Sequence, residues 1–206
     1  MPKAESPLQG LSSFVPAGSF EKLEPHLLQY RVHLTVTRSR ATVLGDYRHA
    51  FQGKNHRISV NGNLNPYAFL ITLLHELAHL FTFVKYGNKV LPHGTEWKRE
   101  YALILQDFLE ADIFPDEIRV VLMNTLRNPS ASSCADDHLM RVLRKYDAAQ
   151  TGQCLVEELH PGEMFVIRGG RIFRRGEVQR KRIRCVEAST GRTFLFSPVY
   201  EVKKIG

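Results

Sequence analysis

Cysteine is scarce in this 206-residue chain: three residues, at positions 134, 154 and 185. An odd, widely spaced set fits neither a disulfide framework nor a Cys-x-x-Cys zinc knuckle, so reduced, structural cysteines are expected. No uninterrupted apolar run reaches the roughly 18 residues of a membrane span; the longest surrounds His75 and His79. The N-terminal Met-Pro-Lys-Ala-Glu-Ser-Pro lacks the basic start and apolar stretch of a secretory signal. A cytoplasmic protein without a membrane partner is therefore expected. Internal repeats and low-complexity tracts are also missing, which excludes solenoids and arrays.

What is present is the composition of a folded soluble protein, 43% hydrophobic and 24% charged. The net charge of +7 is unevenly placed. Residues 161–206 hold 11 Lys+Arg against 4 Asp+Glu, leaving residues 1–160 balanced at 17 of each. A basic surface confined to one module points to phosphate-bearing partners.

The pattern along the chain divides in two. After a flexible Pro/Ser/Gly-rich leader (1–17), a short helix over Phe20–Gln29, interrupted or delayed by Pro25, precedes an alternating strand, Tyr30–Thr37. Residues 41–50 and 57–60 read as strands joined through Gln52-Gly-Lys-Asn55, giving a small antiparallel or mixed sheet. Asn65-Pro66 opens the clearest helix, with Gly87 as its stop. A second helix starts near Thr95, with an apolar stripe of Trp97, Tyr101, Ile104, Leu105 and Phe108. Helices near 116–126 and 137–146 follow, separated by a linker at 128–133. From residue 153, short apolar runs punctuated by Gly and Pro give a small β module.

Chemistry concentrates at His75-Glu-Leu-Ala-His79. A spacing of four puts both imidazoles on one helix face, one turn apart, where they can bind one ion. Glu76 then stands beside the metal, free to act as general base. His93, 14 residues further on in Leu91-Pro-His-Gly-Thr-Glu-Trp97, is within reach as a third ligand. Three protein ligands leave a fourth position open, as catalytic zinc requires, and the all-imidazole set favours one Zn²⁺ per chain.

These residues are part of a longer pattern. Arg40, Leu44-Gly-Asp-Tyr-Arg48, Ile58-Ser-Val-Asn61, Leu64, Leu73-Leu-His-Glu-Leu-Ala-His79 and His93-Gly-Thr-Glu-Trp97 together resemble the SprT-like zinc metalloproteases, over roughly residues 27–109. The resemblance implies an α+β, zincin-like domain at about 18–128, with His75, His79 and His93 as ligands and Glu76 as catalytic residue. It also implies a peptide substrate laid along a sheet edge beside the zinc. A linker and helix (129–152) would lead to the basic β module (153–206). Relatives ending in a four-cysteine zinc ribbon are not matched there, since Cys185 has no nearby second cysteine. Cys134, His138 and Cys185 are read as ordinary polar or buried residues rather than as a second metal site.

Within the basic module, Arg171, Arg174, Arg175, Arg180, Lys181, Arg182 and Arg184 are candidate nucleic-acid contacts, interleaved with phenylalanines suited to stacking. The pattern equally fits a solvated sheet face over a phenylalanine core. DNA-associated proteins are the substrates the resemblance implies. Competing readings are a nucleic-acid-binding or regulatory protein with a structural zinc, and a hydrolase of non-peptide amides.

Overall fold

The computed structural model describes residues 8–40, 43–127, 136–148 and 152–205. The chain forms two compact units, Met1–Asp147 and Ala148–Gly206, and the architecture is mixed α+β.

In the first unit, residues 8–17 of the expected leader pack against the core instead of standing loose. Leu8–Ser13 form a 3₁₀ turn, Leu11 and Val15 join the core, and Phe14 stacks on Phe69. Helix α1 (Phe20–Gln29) is continuous despite Pro25. Leu23 and Leu27 flank that proline and are fully buried, so packing outweighs the lost backbone bond.

Strands β1 (His33–Thr37), β2 (Gly45–Arg48) and β3 (Arg57–Asn61) form a sheet in the order β1-β3-β2. The sheet is mixed. β2 and β3 are an antiparallel hairpin, whereas β1 runs parallel to β3, His33 opposite Arg57 through Thr37 opposite Asn61. The hairpin closes by a bridge between Phe51 and Lys54, with Gln52 (φ 48°) and Gly53 (φ 76°) both left-handed, as a tight two-residue turn requires.

Helix α2 (Pro66–Tyr86) is held at both ends as its sequence predicts. Asn65 Oδ1 accepts from the Ala68 amide at 2.9 Å, and Gly87 ends the helix at φ 62°. This is the one described helix long and apolar enough to cross a membrane, although 72% of its apolar window is buried inside the protein. It is the central core helix, apolar nearly all round because neighbours surround it. Helix α3 (Thr95–Glu110) packs on it through Trp97, Tyr101, Ile104, Leu105 and Phe108, all buried.

Helices α4 (Asp116–Arg127) and α5 (Asp137–Arg144) complete the unit. α5, expected in a connecting segment, instead contributes Leu139, Val142 and Leu143 to this core. Asn65 Nδ2 donates to Leu143 O (2.9 Å) and Asp147 Oδ1 (2.6 Å), tying the end of α5 to the start of α2. The expected linker at 128–133 lies outside the described residues.

The second unit is a six-stranded antiparallel sheet of β4 (Gln153–Leu155), β5 (Met164–Val166), β6 (Ile172–Gln179), β7 (Arg182–Glu187), β8 (Thr193–Phe196) and β9 (Glu201–Ile205), ordered β4-β9-β5-β6-β7-β8. Its core is Val156, Leu159, Phe165, Phe173, Ile183, Cys185 and Val202. β6 bulges between Arg175 and Val178. Gly176 sits in that irregularity, where a Cβ would lie 2.6 Å from the Arg184 carbonyl oxygen.

Candidate metal centre

α2 presents His75 and His79 one turn apart, and the loop from Gly87 returns His93 to them. That return is sharp. His93 adopts φ 60°, unusual for a residue with a side chain, and Gly94 closes a turn by donating its amide to Leu91 O at 2.9 Å. A Cβ on Gly94 would stand 3.0 Å from the same oxygen.

The three imidazoles converge. One ring nitrogen from each lies within 4.8 Å of the others, and Nε2 of His75 is 3.2 Å from Nε2 of His93. Two nitrogens bound to one tetrahedral zinc at about 2.0–2.1 Å would stand roughly 3.3 Å apart, so the spacing fits that ion. Among the described residues, this is the one group of three or more His, Cys, Asp or Glu placed to share a metal. Cys134 lies outside them, while Cys185 is buried in the core of the second unit.

Burial, with smaller repulsion from His79 and His93, pushes the His75 imidazole down to about 3. Burial and then His93 bring His79 to about 4, and burial lowers His93 as well. All three are therefore neutral near pH 7, with lone pairs free for a cation. Trp97 forms the floor: fully buried, its ring centroid stands 4.6, 5.3 and 4.7 Å from those of His75, His79 and His93. Tyr101 stacks beneath it at 5.1 Å. Tyr67, by contrast, packs against Phe114 and Tyr146 at the start of α2.

Glu76 is only 6% exposed. Burial, reinforced by Asp46 and opposed by Arg40, pushes its carboxyl up to about 8. A dication at the imidazoles acts against that direction. β2 fixes where the carboxyl stands: a Cβ built on Gly45 would lie 2.7 Å from Glu76 Oε1 and 2.7 Å from Thr72 Cγ2. Only glycine lets strand and helix approach so closely.

A clasp behind Gly45 holds the strand there. Arg40 Nε donates to Asn61 Oδ1 at 2.8 Å and its Nη1 to Ser59 Oγ at 3.0 Å. Asn61 Nδ2 returns bonds to the carbonyl oxygens of Arg40 (3.3 Å) and Val43 (3.0 Å), while its amide donates to Leu44 O. Arg40, Gly45 and Asn61 stood in the recognised motif series, but neither periodicity nor composition marked them as supports of Glu76.

Residues 19–113 match the SprT-like family. This SprT-like segment runs from the start of α1 to just short of α4, and takes in every residue of the candidate centre. No curated protein and no solved structure matches the chain.

The seven cationic residues singled out in the second unit are not equivalent. Arg175 is buried and donates Nη1 to the Gly176 carbonyl. Arg171 pairs through Nε with Glu187 Oε1 at 2.6 Å, and its guanidinium lies over Phe173 and Phe194, 5.1 and 4.8 Å from their centroids. These two are engaged within the unit. Arg174, Arg180, Lys181, Arg182 and Arg184 are exposed along the β6–β7 hairpin, while Phe165 and Phe173 are core.

Proposed function

We propose that this chain is a zinc-dependent metallopeptidase of zincin type, with His75, His79 and His93 holding one Zn²⁺ and Glu76 as general base. The observation that carries the reading is the convergence of three neutral imidazoles beside a buried carboxyl that a glycine-backed strand keeps in place. When bound, zinc supplies Lewis acidity, polarising a carbonyl and lowering the pKa of water.

The remaining steps belong to the chain. Glu76 takes a proton from the attacking water and delivers it to the leaving amine. Trp97 and Tyr101 keep solvent from the back of the imidazoles and fix their orientation. β2 is an edge strand of its sheet. An extended peptide pairing with that edge lies alongside Glu76 and the imidazoles. The test is Glu76→Gln in the zinc-loaded full chain, with an unfolded protein such as β-casein as substrate. Zinc content should stay near one per chain while cleavage falls by about 10²–10⁴-fold. A mutant that cuts as fast as wild type removes Glu76 from this role.

One observation favours a second activity, nucleic-acid binding that brings the peptidase to DNA-associated proteins: five exposed cations on a single hairpin. Reversing Arg182 and Arg184 to Glu in the full chain should weaken DNA binding and flatten its salt dependence by about two charges' worth of slope. Binding that is unchanged, or absent from wild type, sinks this reading and leaves the peptidase intact.

A further inference from the structure

The face of α2 that carries His75 and His79 continues one turn further to Phe83, at the same spacing of four. Opposite it, the β2 hairpin presents every second residue to the helix. Gly45 meets Glu76, the Tyr47 ring lies parallel to that of His79 at 6.4 Å, His49 stacks on Phe83 at 4.5 Å, and Phe51 meets His49 at 6.3 Å. His56, immediately before β3, fills the gap between Tyr47 (5.9 Å) and Phe83 (6.0 Å). An unbroken row of rings thus leads away from the metal centre towards the C-terminal end of α2.

The row leaves the hydrophobic core as it goes: Tyr47 still packs against the core cluster. Phe51 and Phe83 both lie outside the core cluster of their unit, and Phe51 is 63% exposed at the hairpin tip. The other rings of the row are half-buried, so the strip opens to solvent at its Phe51 end, where an apolar side chain can still be covered. The strip is also built rather than loose. The Ala50 amide, which can only donate, points at His56 Nδ1 (3.3 Å), so this nitrogen is an acceptor and the Tyr47 hydroxyl donates to it at 2.8 Å. With its hydroxyl so engaged, Tyr47 turns the face of its ring, not a polar tip, towards His79. Burial lowers His56, which keeps a neutral ring in the row.

We infer that this row is a substrate subsite for one aromatic or large aliphatic side chain, carried by the peptide within about two residues of the bond that is cut. The inference rests on the proposed peptidase reading and names the side chain that reading leaves open. A peptide paired to the free edge of β2 turns alternate side chains towards α2. Two residues of strand advance about 6.6 Å, close to the 5.4 Å of one helix turn. A side chain two residues from the reacting carbonyl therefore falls beside Phe83 and His49. The rings offer stacking and apolar area, which suit an aromatic or aliphatic side chain.

The test measures affinity rather than turnover. Tripeptides of alanine carry a hydroxamate either at the C-terminus or, through a malonyl spacer, at the N-terminus, with Phe placed at each position in turn. Binding to the zinc-loaded full chain is followed by titration calorimetry, for wild type, Phe51→Ser and Phe83→Ser. One Phe position in one series should bind about ten-fold tighter than the all-alanine parent. That gain should fall below about three-fold in Phe83→Ser and shrink in Phe51→Ser, with parent affinity unchanged.

No gain above about three-fold at any position, or a gain that persists in both variants, overturns the subsite. A dimer dispersed by Phe51→Ser would show a second copy covering the strip, and overturns it too. Zinc content of the same samples separates the two claims, since a chain that takes up no zinc fails at the peptidase reading itself. Phe51, on an exposed turn, keeps the test valid if Phe83→Ser perturbs α2.

Discussion

Gly45 carries no side chain where β2 passes Glu76, and the 2.7 Å left for a Cβ there is below any ordinary carbon–oxygen contact. An added methyl must displace the carboxyl, since Gly45 itself is paired to Val60 in the sheet and held from behind by the Arg40–Asn61 clasp. Misplacing a catalytic group by about 1 Å costs on the order of 10²-fold in rate. Gly45→Ala should therefore cut peptidase turnover by about 10–100-fold while leaving zinc stoichiometry at wild-type level. The control is internal: Trp97 is the sole tryptophan and touches all three imidazoles, so its emission reports whether zinc still enters. Full activity in Gly45→Ala would mean that Glu76 is not held from this side; lost zinc would mean that the methyl disturbs the ligands instead.

At the level of elements, Asn65 does more than start a helix. Its Oδ1 caps α2 while its Nδ2 satisfies Leu143 O and reaches Asp147, so one side chain joins the first turn of the helix that carries His75 and His79 to the last of α5. Asn65→Ala loses the cap, worth about 0.5–2 kcal/mol, and leaves the buried Leu143 carbonyl with one partner fewer. Urea unfolding should show a loss towards the upper end of that range; a loss under about 0.5 kcal/mol would make the α5 link incidental. The cap, proline and terminal glycine made α2 legible from sequence, because each signal acts within a few residues of itself. The parallel pairing of β1 with β3 was not legible. Alternation shows which side of a strand is buried but not which neighbour it pairs with, and β1 reaches β3 from the side opposite β2. The aromatic row escaped for a similar reason: Tyr47, His49 and Phe51 follow the period of a strand and His79 and Phe83 that of a helix, and only their packing makes them one surface. The leader failed differently. Leu11 and Val15 sit among Pro, Ser and Gly, and composition hid two core residues.

On the scale of the molecule, chemistry and charge are kept apart. The proposed ligands and base, the clasp and the aromatic row all belong to the unit ending at Asp147, whereas the excess of positive charge lies in the unit that follows. A metal that binds only the folded form stabilises what it binds by about RT ln(1 + [L]/Kd), roughly 4 kcal/mol when free zinc is a thousand-fold above its Kd. That energy acts where the ligands are. Chelation should therefore lower amide protection in α2 and α3, above all in the turn that holds His93 at φ 60°. The β6–β7 hairpin should keep its protection, because its stability comes from a core of Phe165, Phe173, Ile183 and Cys185. Residue-resolved hydrogen exchange, with zinc and after chelation, reads both units in one sample. Loss confined to the first unit is the expected result, and equal loss in the second would show that the metal stabilises the whole chain rather than the unit that holds its ligands.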